Sequence, residues 1–217
     1  LAAVSEKKIY IIRSYSRETV RTFNASHTGT IIAIFFHNND NFLYSSGSDG
    51  VIVQYNLFDF NTVKIANKYI NYTDSGICSN YYITESNCED NILSCGFGSV
   101  NQSVVSSVKF IPHKTEEIAQ CQFSSSLIDS RATAICNVVT KRYEINAIAI
   151  GSENGTLSLY SPSIEDNAKL TKWDSVKSHR GPIRRLFFSK DTNLLFSSGD
   201  DGNLFIYAIY EYPDGET

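Results

Sequence analysis

Residues 178–207, SHRGPIRRLFFSKDTNLLFSSGDDGNLFIY, contain the pattern that decides the fold, and residues 26–55, SHTGTIIAIFFHNNDNFLYSSGSDGVIVQY, repeat it. Each segment begins with Ser-His-x-Gly, passes through an apolar run and a polar turn, and ends a second apolar run in Ser-Ser-Gly-x-Asp-Gly. In both copies the Asp follows the His by 22 positions and a Tyr follows the last Gly by five. Equal spacing in two copies indicates a repeated supersecondary unit.

Partial copies of this pattern extend the repeat along the chain. Residues 151–160 keep the turn glycine and the tyrosine five positions later, whereas residues 4–12 and 95–98 match mainly in spacing. In residues 4–12, Lys7-Lys8 replace the turn glycine, which predicts either a strained residue or a longer turn. We place the approximate limits of five units at residues 1–25, 26–70, 71–123, 124–177 and 178–212. Residues 114–142, which include a run of three serines at 124–126, match the repeat least and predict an irregular unit with long loops.

The chemistry of the repeat is that of antiparallel hairpins. Asp-Gly and Asn-Gly between runs of β-forming residues favour tight turns with positive φ. Each apolar run suits a strand of about 4–7 residues, and a unit of roughly 40–50 residues favours a propeller blade over a sandwich or a barrel. The sequence therefore predicts an all-β propeller with four-stranded antiparallel blades. Propellers typically have about 4–8 blades, and we expect these units to be about five blades of a larger ring, with the others upstream of residue 1.

Composition excludes several functional classes. The chain has 217 residues and a net charge of −4, without the basic excess typical of nucleic-acid binders. Its apolar runs, such as Ile31–Phe36, are too short to cross a membrane. The cysteines form no Cys-x-x-Cys pair, which favours reduced thiols over a zinc site or a disulfide framework: Cys78, Cys88, Cys95, Cys121 and Cys136. No metal-ligand spacing or phosphate-binding loop is present in the sequence, so we expect no cofactor.

At these residues the sequence resembles the WD40 repeat, with tyrosine where that family usually has tryptophan. The resemblance implies two hydrogen-bonded tetrads, each built from His, Ser, Asp and the aromatic residue. In each, either serine of a Ser-Ser pair (Ser45-Ser46 or Ser197-Ser198) fits, and we take the second: His27, Ser46, Asp49 and Tyr55; His179, Ser198, Asp201 and Tyr207. A catalytic His–Asp pair is the alternative, but one active site does not need several copies, so we predict a protein that is not an enzyme.

The final repeat also resembles a ciliary WD-repeat family typified by cilia- and flagella-associated protein fifty-seven. That resemblance implies a structural scaffold of the ciliary or flagellar axoneme and cytoskeleton, with inner dynein arm, radial spoke or dynein-regulatory partners. It further implies a coiled coil after the propeller, through which the protein would self-associate. The alternatives are a general cytosolic WD40 adaptor and, from another class, a propeller-fold hydrolase.

A basic cluster at the start of the last repeat is the candidate partner-binding surface: Arg180, Arg184 and Arg185. In a propeller such positions lie near the narrow rim, where partner segments dock. The alternative is an ordinary solvated basic face. Four tyrosines between residues 69 and 82 form a second, weaker candidate, because tyrosine both fills gaps between blades and is enriched at interfaces.

Overall fold

In the part of the chain that it describes, the computed structural model contains twenty β-strands and no helix. It describes residues 1–24, 27–36, 42–58, 130–140, 146–162 and 170–210, together with the backbone of the strands between residues 65 and 127. Among these residues there is accordingly no helix long and apolar enough to span a bilayer. The second tyrosine candidate, at residues 69–82, and every cysteine side chain except that of Cys136 lie outside this description.

Five antiparallel sheets follow one another along the chain, and within each sheet consecutive strands are hydrogen-bonded neighbours. Sheet 1 contains β1 (Ala2–Ser5), β2 (Lys8–Ile12) and β3 (Thr19–Asn24); sheet 2 contains β4 (Ile31–Phe36), β5 (Phe42–Gly47), β6 (Val51–Asn56) and β7 (Ile65–Ile70). After a short pair, β8 (Tyr72–Thr73) and β9 (Gly76–Ile77), sheet 3 contains β10 (Ser79–Glu85), β11 (Asn91–Phe97), β12 (Ser103–Phe110) and β13 (Ala119–Leu127). Sheet 4 contains β14 (Ala132–Val139), β15 (Asn146–Ser152), β16 (Thr156–Pro162) and β17 (Leu170–Lys177); sheet 5 contains β18 (Ile183–Ser189), β19 (Leu194–Gly199) and β20 (Leu204–Ala208).

Two expectations need correction. Sheets 2, 3 and 4 have the predicted four strands, whereas sheets 1 and 5 have three in the described residues. The expected boundary between residues 123 and 124 falls inside β13, because Ser124, Ser125 and Ser126 pair with β12. A sheet is held by main-chain hydrogen bonds, which polar side chains do not prevent.

Apolar faces of neighbouring sheets form the core. Between sheets 1 and 2, Ile9 and Phe23 pack against side chains from β5 and β6. Between sheets 4 and 5, Ile183 and Leu195 pack against side chains from β14, β15 and β16. Sheet 4 is apolar on its other face too, where Ile148, Ile150 and Tyr160 belong to a separate cluster. Strands buried on both faces are what stacked sheets require.

The first strands of sheets 1, 2, 4 and 5 line a common cavity of about 370 Å³. In three of these strands a β-bulge inserts one extra residue near the start: Ile32 in β4, Thr133 in β14 and Arg184 in β18. Thr133 uses its position to donate a 2.6 Å hydrogen bond from Oγ1 to the carbonyl of Ile183 in the next sheet. A bulge therefore recurs near the start of the first strand in three sheets. In sheet 4 the bulged residue also joins that sheet to sheet 5.

Candidate functional site

His27 lies in the loop before β4, and its ring joins that loop to the β5–β6 hairpin. Nδ1 donates to Asp49 Oδ1 at 3.1 Å, and Nε2 bonds to Ser45 Oγ at 2.7 Å. Ser45 Oγ in turn lies 3.1 Å from Tyr55 Oη, and Asp49 accepts the backbone N–H of Thr28 at 2.7 Å. The histidine is 3% exposed, so this set fixes the loop and the hairpin turn relative to each other from within.

Sheet 5 repeats the arrangement around His179, which is 1% exposed. Nδ1 donates to Asp201 Oδ1 at 2.8 Å, and Nε2 bonds to Ser197 Oγ at 2.8 Å. Tyr207 Oη lies 3.4 Å from Ser197 Oγ and donates to Ser178 Oγ at 2.6 Å. The second set therefore includes Ser178, the residue before its histidine.

The structure corrects the choice of serine in both sets. The histidines bond to Ser45 and Ser197, and not to Ser46 and Ser198. The reason is the alternation of side chains along a strand. In β5 and β6 the register pairs Leu43 with Tyr55, so Ser45, two residues from Leu43, faces the tyrosine side and Ser46 faces the opposite side.

Both aspartates are held in the charged form. The pKa of Asp201 is lowered, first by the hydrogen bond from His179 and then by the backbone N–H groups of Arg180 and Asn203. For Asp49, burial acts to raise the pKa, but the His27 hydrogen bond and charge and nearby backbone N–H groups together lower it. Each carboxylate therefore collects donors from the loop and from the hairpin turn.

An Asp–His–Ser row is also the arrangement that activates a serine nucleophile. Ser197 is only 1% exposed, and its hydroxyl lies between His179 and Tyr207, so a substrate cannot reach it. In the described residues, no group of three or more His, Cys, Asp and Glu side chains could hold a metal ion. This geometry favours a structural role for both sets.

Sheet 4 departs from this plan while keeping the same register. Ser45 pairs with Val53 in sheet 2, and Ser197 pairs with Phe205 in sheet 5. In the equivalent pair of sheet 4 the serine lies on the third strand and the apolar residue on the second, because Ile150 on β15 pairs with Ser158 on β16. The turn position of the aspartates holds Asn154, which accepts from Ser152 Oγ at 2.8 Å and from the N–H of Thr156 at 2.9 Å.

The basic cluster of Arg180, Arg184 and Arg185 is divided between a loop and a strand. Arg180 lies before β18, where its backbone N–H binds Asp201. Arg184 and Arg185 lie on β18 and line the central cavity. Arg184 makes a bidentate ion pair with Asp200, at 2.7 Å from Nε, which was not expected from the sequence. The only sequence feature that pointed to this ion pair is that two aspartates, Asp200 and Asp201, are adjacent. Asp201 bonds to His179, which leaves Asp200 available for an arginine.

Comparison with known proteins agrees with this fold. The profile of the family described as "WD domain, G-beta repeat" matches residues 17–56 and 171–207, the two segments that hold the histidine sets. Mouse (Mus musculus) "Cilia- and flagella-associated protein 57" is 25% identical over 215 residues, which are 97% of this chain and 15% of that protein. The chain thus spans about a seventh of the curated relative.

Solved structures show the same architecture at lower identity. A chain in "Crystal Structure of Mitotic Checkpoint Complex" superposes with a TM-score of 0.68 at 15% identity, covering 94% of this chain and 58% of that chain. The β-propeller domain of Cps50 (Swd1) from Myceliophteria thermophila gives a TM-score of 0.67 at 14% identity, covering 99% and 64%. The chain therefore has a WD40-type β-propeller fold, with sheets of three or four strands, and resembles the ciliary protein.

Proposed function

We propose that this chain is a rigid, non-enzymatic scaffold of the ciliary or flagellar axoneme, which binds other proteins through loops on one face of its propeller. The observation that supports a rigid scaffold is the pair of histidine sets. Each set ties the loop before a blade to the hairpin turn of the same blade through buried hydrogen bonds. Loops fixed in this way lose little conformational entropy when a partner binds, so that weak contacts add usefully.

Contacts between blades extend this rigidity around the propeller. The carbonyl of Gly155, in the β15–β16 turn, accepts the N–H groups of Ser178 and His179, in the loop before sheet 5. Lys7, in the β1–β2 turn, reaches the carbonyl of Thr28 in the loop before sheet 2. Turns of one blade and entry loops of the next therefore form a connected surface that suits a protein partner.

Axonemal localisation and the partners rest on the likeness to the ciliary protein, which is 25% identical and far longer than this chain. By that likeness we propose inner dynein arm, radial spoke or dynein-regulatory components as partners. A coiled coil downstream of the propeller, which the same likeness implies, would provide self-association. Neither a nucleic acid nor a membrane is proposed as a partner, since the net charge is −4.

The localisation is tested by immunoblotting the full-length protein in cell bodies, detergent-extracted axonemes and a high-salt axonemal wash. We expect the protein to stay with the axonemes after the wash, because a scaffold with several contact loops dissociates slowly. Recovery only in the soluble cell body would contradict the axonemal scaffold and would favour a general cytosolic adaptor with the same fold.

We propose the basic cluster as part of the partner surface, for an acidic segment of the partner. The side chains of Arg180 and Arg185 are exposed, while Arg184 is held by Asp200 at the cavity. Reversing the charge of Arg180 and Arg185 to Glu should reduce co-purification of axonemal partners without lowering the melting temperature. Arg17→Glu with Lys190→Glu, two exposed sites elsewhere, is the matched control. Equal recovery of partners with both double variants would contradict the assignment of the basic cluster to the partner-binding surface.

A further inference from the structure

The turn between β15 and β16 contains the single Asn-Gly dipeptide of the chain, Asn154-Gly155. It occupies the place that Asp49-Gly50 holds in sheet 2 and that Asp201-Gly202 holds in sheet 5. An asparagine before a glycine is prone to deamidation, because glycine has no side chain to hinder attack by its own nitrogen. The turn of sheet 4 is therefore a candidate site of spontaneous modification.

The reaction needs no reactant other than water. The backbone nitrogen of Gly155 gives up its proton and attacks Cγ of Asn154. A bond from that nitrogen to Cγ forms, the Cγ–Nδ2 bond breaks, and the side-chain nitrogen leaves as ammonia. Water then opens the resulting succinimide ring. Addition of water to the side-chain carbonyl gives aspartate, whereas addition to the main-chain carbonyl gives isoaspartate, in which the main chain runs through Cβ and Cγ and is one atom longer.

The equivalent aspartates of sheets 2 and 5 are poorer targets for the same attack. Although burial acts to raise it, the pKa of Asp49 is lowered by the hydrogen bond from His27. The pKa of Asp201 is lowered by the hydrogen bond from His179. Both side chains are therefore carboxylates, which repel a negatively charged nitrogen and cannot release ammonia. Among these three turns the chemistry favours Asn154.

The folded turn is held in a way that slows this reaction. Asn154 Oδ1 accepts hydrogen bonds from Ser152 Oγ at 2.8 Å and from the N–H of Thr156 at 2.9 Å. The N–H of Gly155 donates to the carbonyl of Ser152 at 3.0 Å, and Gly155 is buried. Attack on Cγ requires the Gly155 nitrogen to lose this hydrogen-bonded proton and the Asn154 side chain to leave its two bonds. The reaction should therefore proceed from an opened turn, where the exposed Asn154 is accessible to water.

The same turn contacts the next blade. The carbonyl of Gly155 accepts the N–H of Ser178 at 3.3 Å and that of His179 at 3.1 Å. The turn and the loop approach so closely that a Cβ on Gly155 would collide with the carbonyl oxygen of His179. A main chain lengthened by one atom before Gly155 cannot keep the glycine in this place. Aspartate at position 154 leaves the main chain unchanged, and its carboxylate can accept the same two hydrogen bonds as Asn154 Oδ1 does.

We propose that Asn154 is a site of spontaneous deamidation, exposed to reaction when the β15–β16 turn opens, and that its isoaspartate product releases the loop that carries His179 from sheet 4. The modification needs no enzyme, so it accumulates with the age of the protein. It goes beyond the scaffold role, because it adds a time-dependent loss of rigidity at one junction between blades, whichever partner the scaffold binds.

Peptide mapping of the full-length protein tests the site. Folded protein and protein unfolded in denaturant are incubated for weeks at neutral pH, and electron-transfer fragmentation distinguishes isoaspartate from aspartate at position 154. We expect isoaspartate to accumulate in both samples, and about tenfold or more slowly in the folded protein, because the turn must open first. Absence of isoaspartate from the folded protein would overturn the proposal, and equal rates in the two samples would contradict the protection by the turn.

A substitution in the turn tests the protection directly. Ser152→Ala removes the hydroxyl that holds Asn154 Oδ1 and the carbonyl of Thr156. We expect the folded variant to form isoaspartate about threefold or more faster than the wild type. Ser175→Ala, which changes an exposed serine on β17 of the same sheet, is the matched control and should react at the wild-type rate. Equal rates in the two variants would mean that these hydrogen bonds do not protect Asn154.

Hydrogen exchange tests the consequence for the next blade. Ion-exchange chromatography separates the aged, deamidated protein from the unmodified protein by its added negative charge. Exchange in the loop at residues 178–181 should be about tenfold faster in the deamidated fraction, since the two hydrogen bonds to Gly155 are lost. Freshly purified Asn154→Asp, which carries the charge without the longer main chain, should exchange as the wild type does. Unchanged exchange in the deamidated fraction, or equal acceleration in Asn154→Asp, would overturn the release of the loop by isoaspartate.

Discussion

At the scale of single residues, each histidine set depends on which way a side chain faces. The sequence sufficed to identify the histidines, aspartates and tyrosines, because their spacing is equal in two copies. It could not choose between adjacent serines, since only the strand register decides which one shares a face with the tyrosine. Ser197 is buried, whereas Ser198, one residue further, is partly exposed.

This difference predicts unequal effects of two alanine substitutions. Ser197→Ala removes a partner of His179 and should lower the free energy of unfolding by about 1–2 kcal/mol. Ser198→Ala removes a partly exposed hydroxyl and should change it by less than about 0.5 kcal/mol. Chemical denaturation of the two variants measures both values. A larger loss for Ser198→Ala would mean that Ser198, and not Ser197, faces the histidine in sheet 5.

The aspartates predict how stability depends on pH. A carboxylate whose pKa is lower in the folded state than its ordinary value of 3.8 stabilises the fold above that value, and the contribution is lost as the pH falls toward the folded pKa. The melting temperature of the wild type should therefore exceed that of Asp201→Asn most at pH 7. The gap should narrow below about pH 3.8. A gap that stays constant from pH 7 to pH 3 would mean that the Asp201 carboxylate contributes nothing through its charge.

At the scale of strands and turns, glycine positions decide how closely blades approach each other. Gly155 has φ of +86°, and a Cβ there would collide with the carbonyl of His179 in the next blade. Gly202 has φ of +74° and no heavy atom within 4 Å of a Cβ position. The first β-hairpin solves its turn differently, because Glu6 carries the positive φ of 54° in a two-residue turn. The strained residue expected at positions 7–8 thus lies one residue earlier.

Gly155→Ala and Gly202→Ala separate the cost of a positive φ from the cost of a steric collision with the next blade. Both place an alanine at positive φ, which should cost about 1–2 kcal/mol in either variant. Gly155→Ala must in addition displace the loop that carries His179, so it should lose clearly more stability than Gly202→Ala. The unfolding midpoints in denaturant provide the comparison. Equal midpoints would mean that the loop moves aside freely and that the contact between the two blades is weak.

At the scale of the whole molecule, neighbouring blades pack through the apolar faces of their sheets. In the described residues, sheets 4 and 5 show this packing most clearly. Ile183 is fully buried, and a Cβ on Gly151 would come within 2.6 Å of its Cγ2 atom. Internal spacing in the sequence predicted a propeller, and the solved structures confirm it. Spacing could not predict the ion pair of Arg184 with Asp200, because it arises from residues that differ between copies.

A substitution at this junction should affect both sheets. Ile183→Ala opens a cavity opposite Gly151 and should lower the free energy of unfolding by about 2–4 kcal/mol. Hydrogen exchange should then accelerate in β15 as well as in β18, because the two strands share this contact. Lys190→Ala, in the exposed β18–β19 turn, is the control and should leave exchange unchanged. Acceleration confined to β18 would indicate that each blade opens independently of its neighbour.

The repeated bulge has a consequence for design. A bulged residue has no directly opposite partner in the ladder, so its identity is released from cross-strand pairing. This chain places an aliphatic group, a hydroxyl and a guanidinium at the same level of three blades, in Ile32, Thr133 and Arg184. Ile32 and Arg184 line the shared cavity, whereas Thr133 is bonded to the carbonyl of Ile183 in the next sheet. The chemistry of the cavity is therefore open to redesign at Ile32 and Arg184, whereas the hydroxyl of Thr133 has to be kept for the contact between sheets 4 and 5.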